Sequence, residues 1–170
     1  MGDHIALRRL LLKAGAEFGI REFGFNALLS LRLEKGFGIW SAEFTQGYTP
    51  GMTGMDRWID WEKEKFIGQA AAIKERDGNG PAQKLVMLEI DADDADASGY
   101  EPVWDNDSLV GFVTSGGYGH TLKKSLAMAL VNNDLANENQ KLKVHVVGVE
   151  KDAQVIQASP YDPEGCVMRV

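Results

Sequence analysis

The stretch Ser30-Leu31-Arg32-Leu33-Glu34-Lys35-Gly36-Phe37-Gly38-Ile39-Trp40 sets two opposite charges inside an apolar run that ends in glycine. Two residues apart on a helix, Arg32 and Glu34 leave from different sides. One reading pairs each with a neighbouring charge of its own protein. The other holds the Glu34 carboxylate against apolar walls, where its two oxygens can accept from a planar pair of N–H donors, as they would from a guanidinium. Trp40 is either core packing or a wall beside an aromatic ligand.

Other chemistry-bearing residues fit known sites less well. Histidines 4, 120 and 145 fall in separate elements with no zinc spacing. His120 lies in the glycine-rich segment Gly116–Thr121, a simple connection or a ligand contact. Counted from Asp94, the acidic run puts oxygen ligands at positions one, three and five, with Gly99 at six and Asp105 at twelve. Glu101 and Pro102 break that calcium-loop pattern, so a solvated acidic loop is expected and no metal site. No G-x-S-x-G elbow precedes Ser115, no Lys-Ser/Thr ending completes a phosphate loop, and no G-x-G-x-x-G opens a helix after a strand. Redox chemistry would have to lie outside this chain. Lys63 with Lys65 and Lys123 with Lys124 are the local basic pairs, solvated or partners for an acidic ligand tail.

The elements that must position these residues divide in two. Leu7, Leu10, Leu11, Ala14 and Phe18 form one helical face behind Asp3, an expected N-cap. A second helix runs from about Gly24 to Lys35 on Phe25, Leu28, Leu29 and Leu33, with Gly36 as its C-cap. Neither can bury its stripe alone. Phe44–Gly54 is turn-rich, Trp58–Trp61 alternates as a short strand, and a third helix spans about Gly68–Arg76. The polar cluster Asp77–Pro81 marks a domain boundary, dividing residues 1–80 from 81–170. Beyond it the pattern turns to β: Lys84–Ile90, Leu109–Thr114, Leu142–Val149 and Ala153–Ala158, with a hairpin turn at Asn106-Asp107. Ser125–Val131 reads as strand or helix by periodicity alone. Strands at this spacing suggest a sandwich or small barrel.

Composition narrows the class. At 44% hydrophobic and 25% charged, the 170 residues describe an ordinary globular chain. A net charge of −7 argues against a nucleic-acid partner. No run of about 18 apolar residues suggests a membrane span, and one cysteine excludes an internal disulfide or a cysteine metal cluster.

Four separated motifs in order, ALLSLRLEKGFGIW, the TPG containing Pro50, KFIGQAA and VGFVTSGGYGHTLKKSLAMALV, resemble the C-terminal half of the glycine-cleavage T-protein (aminomethyltransferase) family. LRLEKGFGIW and the acidic stretch before PVW are closer to the folate-binding region of dimethylglycine and sarcosine dehydrogenases. The resemblance runs from about Leu10 to about Pro160. It implies an α+β fold: the C-terminal part of a mixed α/β folate-binding domain, then a small antiparallel β-barrel, the whole being a fragment of a larger protein. It implies tetrahydrofolate as cofactor, with Glu34 matching the glutamate that meets the pterin edge. Any FAD belongs to a separate domain outside this chain. The cofactor-binding set is then Glu34, Gly36, Trp40 and Lys65, with Lys65 or Lys63 standing in for a basic residue that the family places shortly before DF-x-G, where this chain has Lys65-Phe66 and no arginine. Catalytic residues belong to an upstream domain of the same larger protein, the expected partner besides folate. The expected compartment is cytoplasmic, or the mitochondrial matrix in a eukaryote. The alternatives are a non-catalytic folate-binding relative serving regulation, assembly or repair, and a structural domain docking a flavin domain through its β portion.

Overall fold

The structure, a computed structural model, describes residues 2–167 and 169. Four helices come first: α1 (Gly2–Gly15), α2 (Phe25–Lys35), the short α3 (Pro50–Thr53) and α4 (Gln69–Asp77). Six strands follow: β1 (Gln83–Ile90), β2 (Pro102–Asp105), β3 (Ser108–Gly119), β4 (Lys124–Asn132), β5 (Lys141–Val146) and β6 (Val149–Ile156). They close into an antiparallel barrel in the order β1-β4-β3-β2-β5-β6, with β6 returning to β1. Closure removes every sheet edge.

Period-two alternation sorts the strand residues. Val86, Leu88 and Ile90 of β1, Ala127, Ala129 and Val131 of β4, and Val144 and Val155 face inward and form the barrel core. The opposite faces of β1 and β4 supply Met87, Leu126 and Met128, which pack with Leu33 of α2. β4 is therefore buried on both sides from Ser125 to Val131. Its neighbours decide what periodicity left open: Ser125–Val131 is strand, because it pairs along its whole length with both β1 and β3.

Three local expectations are corrected. Trp58–Trp61 forms no strand; a 3-10 turn covers Asp56–Trp58. A closed barrel offers that stretch no free edge to pair with, and its tryptophans instead lie under Arg57 at 5.5 Å and Arg76 at 4.4 Å. Asp3 sits within the first turn of α1 rather than capping it. Leu142–Val149 is broken at Val147-Gly148, both at positive φ (49° and 78°), a two-residue turn that starts β6 at Val149. β2, unpredicted as a strand, pairs with β3 across the expected Asn106 turn.

Candidate functional site

α2 ends in a Schellman cap. The Phe37 N–H donates to the Arg32 carbonyl at 2.8 Å and the Gly36 N–H to the Leu33 carbonyl at 3.0 Å, with Gly36 at φ 73°. The Gly36 α-carbon lies so close to the Ala158 carbonyl that no side chain fits there. The tail completes the anchorage: Tyr161 N–H donates to the Glu34 carbonyl at 2.9 Å, and Lys35 meets Asp162. Thus the last turn of α2, holding Arg32, Leu33 and Glu34, is its buried part. Phe25 and Leu28, read as one stripe with Leu33, are 70% and 44% exposed.

Glu34 is 1% exposed, yet no ion pair to it is found among the described residues. Its Oε1 accepts from the backbone N–H groups of Thr121 at 2.6 Å and Leu122 at 2.9 Å, in the turn between β3 and β4. Two converging amides can hold a carboxylate oxygen without a counter-charge. Oε2 accepts no hydrogen bond among the described residues, and it is not one of the polar atoms sealed from solvent without a partner. The second oxygen of the carboxylate is therefore without a hydrogen-bond partner among the described residues. Gly119 makes the approach possible: a β-carbon there would stand 3.0 Å from Glu34 Cγ and 2.9 Å from Leu126 Cδ1.

Arg32 takes a different partner. Its Nη1 lies 3.5 Å from Glu43 Oε2, both side chains buried. Burial lowers the Arg32 pKa, with Glu43 opposing the shift. Glu43 also accepts from Ile39 N–H at 2.8 Å and from Ser115 Oγ at 2.5 Å. A bulge in β3 brings Ser115 there. Val113 pairs with inward-facing Ala129, but after Thr114 the register slips, and Ser115 pairs with outward-facing Met128. Two residues on, regular alternation would have put Ser115 inside the barrel; the bulge turns it out to Glu43. The ion pair fixes α2 to the barrel beside Glu34 and leaves that carboxylate free of Arg32.

Glu34 and Gly36 occupy one helix end. Trp40 is 82% exposed and is not core. Lys65 is exposed, in an irregular segment before α4, with no ion pair or hydrogen bond to Glu34 among the described residues. His120 is exposed, its ring edge-on to Tyr118 at 5.1 Å, in the turn that Ser30 Oγ anchors through the Tyr118 carbonyl. Lys124 is paired with Glu89 and Asp94 with Lys151. Sequence reasoning missed Glu43, Ser115, Gly119 and the Thr121–Leu122 amides. A lone acid between Ala42 and Phe44 was a signal for Glu43; backbone donors leave none.

The comparisons extend this picture. The family model described as the glycine cleavage T-protein C-terminal barrel domain matches residues 83–162, and that of the GCVT N-terminal domain matches residues 2–63. Mitochondrial dimethylglycine dehydrogenase of Rattus norvegicus is 36% identical over 91% of this chain, which covers 18% of that protein. An aminomethyltransferase of Caldanaerobacter subterraneus is 29% identical over 92% of the chain and 41% of its own length. The crystal structure of the glycine cleavage system aminomethyltransferase T from Bartonella henselae superposes with a TM-score of 0.82 at 25% identity, over 92% of this chain and 44% of that one. The chain thus spans less than half the length of each of these relatives. With barrel, preceding helices and both models in agreement, the chain belongs to the glycine-cleavage T-protein family.

Proposed function

We propose that this chain is the tetrahydrofolate-binding portion of a one-carbon-transferring protein, of the dimethylglycine dehydrogenase or aminomethyltransferase kind, and that Glu34 recognises the pterin. The observation that carries the reading is the buried Glu34 carboxylate with one oxygen held by two amides and, among the described residues, no ion pair and no hydrogen bond to the other oxygen. A pterin presents an amino group beside a ring N–H, a planar donor edge complementary to that fork. Tetrahydrofolate, when bound, supplies the amine nitrogens that accept a one-carbon unit. The chain's own residues bind and orient. The Thr121 and Leu122 amides hold the carboxylate in place, Gly119 makes room for it, and the Gly36 cap and Tyr161 hold its helix end. An acceptor fixed in this way captures a reactive carbon before water does. Gly36 serves through the backbone; Trp40 and Lys65 line the ligand only if other parts of the complete protein bring it to them. Any flavin and the chemistry of methyl oxidation belong to other domains.

Calorimetric titration of tetrahydrofolate into the complete protein tests the assignment. Glu34→Gln keeps an oxygen for the two amides but loses the charge. It is expected to weaken binding by about 1–3 kcal/mol while leaving the unfolding temperature nearly unchanged. Unaltered affinity in that variant removes Glu34 from the site and the folate reading with it.

A further inference from the structure

We propose, on the folate reading, that Ser30 is the positioning residue of the pterin site. Through the turn between β3 and β4 it sets the direction of the Glu34 carboxylate, and with it the orientation of the ligand's donor edge. Ser30 and Glu34 stand four residues apart and so leave the same face of α2, one helical turn from each other. Both reach the same short stretch of backbone. The Ser30 hydroxyl donates to the Tyr118 carbonyl at 2.8 Å and accepts from the His120 N–H at 3.5 Å. Glu34 Oε1 takes the next two amides, those of Thr121 and Leu122. Two side chains thus hold one carbonyl and three successive N–H groups.

The division of labour follows from the two side chains. Serine places its oxygen with a single torsion, so the helix backbone all but fixes where the hydroxyl stands. Glutamate has three torsions, and its carboxylate goes where its donors are. Those donors ride on a turn that is pinned from the strand side, where Gly119 pairs with Lys124 and the Lys123 N–H donates to the Gly119 carbonyl at 2.7 Å, with Lys123 at φ 57°. From the helix side, Ser30 and Glu34 make the side-chain hydrogen bonds to this turn's backbone found among the described residues. Without Ser30 the two amides follow Glu34 instead of directing it. A carboxylate that must present its second oxygen to a planar donor edge tolerates misdirection of only about 10–20°. Ser30 supplies that constraint without touching the ligand.

The test titrates tetrahydrofolate calorimetrically into the complete protein carrying Ser30→Ala or Ser30→Thr. In parallel, NMR records the Thr121 and Leu122 amide proton resonances of the isotope-labelled chain without ligand. Expected for Ser30→Ala are roughly tenfold weaker binding and displacement of both resonances, with the unfolding temperature nearly held. Ser30→Thr keeps the hydroxyl and is expected to restore affinity and resonances together, a rescue that packing at this position would not give. Unaltered affinity in Ser30→Ala, where Glu34→Gln weakens binding, overturns the proposal. So do resonances that stay in place, or an affinity lost with alanine that threonine fails to restore. Displaced resonances with folate binding indifferent to both Ser30→Ala and Glu34→Gln strike the folate reading itself and leave only the hold of Ser30 on the turn.

Discussion

At the scale of single residues, one helix turn carries two buried charges that are solved in opposite ways. Arg32 is matched by an acid, Glu43, and its Nε is left sealed and unpartnered. Glu34 is matched by backbone dipoles. Truncating one member of a buried ion pair strands the other, so Glu43→Ala is expected to destabilise the chain by about 3–5 kcal/mol in urea titration. The double change Arg32→Met with Glu43→Leu is expected to cost less than either single truncation. Gly119→Ala is expected to cost about 1–3 kcal/mol, because its new methyl meets Glu34 and Leu126, neither with room to retreat. The pair Arg32 and Glu34 was legible as a helix-end feature; which partner each would take was not. That depended on a turn some 87 residues away.

Elements were legible to the degree that their cause was local. The α2 stop at Lys35-Gly36 and the Asn106 turn follow from residues that can adopt the left-handed region, and both are where expected. The Val147-Gly148 turn was missed because a β-branched residue seldom takes positive φ. Val147 is 80% exposed, so Val147→Asn is expected to relieve that conformation and raise stability by about 1 kcal/mol, read as a rise in the thermal midpoint. The β3 bulge offers a sharper test. Ser115→Ala removes one hydrogen bond to a buried carboxylate, whereas deleting Thr114 removes the bulge and leaves Ser115 opposite Met128, facing Glu43. Ser115→Ala is expected to cost about 1–3 kcal/mol by leaving Glu43 short of a donor, with urea midpoints deciding.

Over the whole molecule, the helices lie before Pro81, and β1 begins at Gln83. Residues 81–170 excised are expected to keep their sheet signal by circular dichroism but to unfold earlier than the complete chain, since Met87, Leu126 and Met128 lose Leu33 as cover. Acid should act gently. Asp94 beside Lys151 and Glu150 beside Lys143 are held below their ordinary pKa values. Their stabilisation is complete above the unfolded carboxylate range and fades as pH falls through the lowered values. Both are exposed, so a shallow decline below about pH 4, with no sharp collapse above it, is the expected thermal profile. Sequence by itself determined the class of each half, the end of α2, the turn at Asn106 and the acid worth watching, because helix stops, turn residues and period-two runs are written in neighbouring residues. Only the tertiary structure decided that Trp40 and Lys65 are exposed, and that Glu34 meets amides while Arg32 meets Glu43. Those outcomes depend on which distant backbone arrives beside a residue, and backbone donors have the same chemistry at every position except proline.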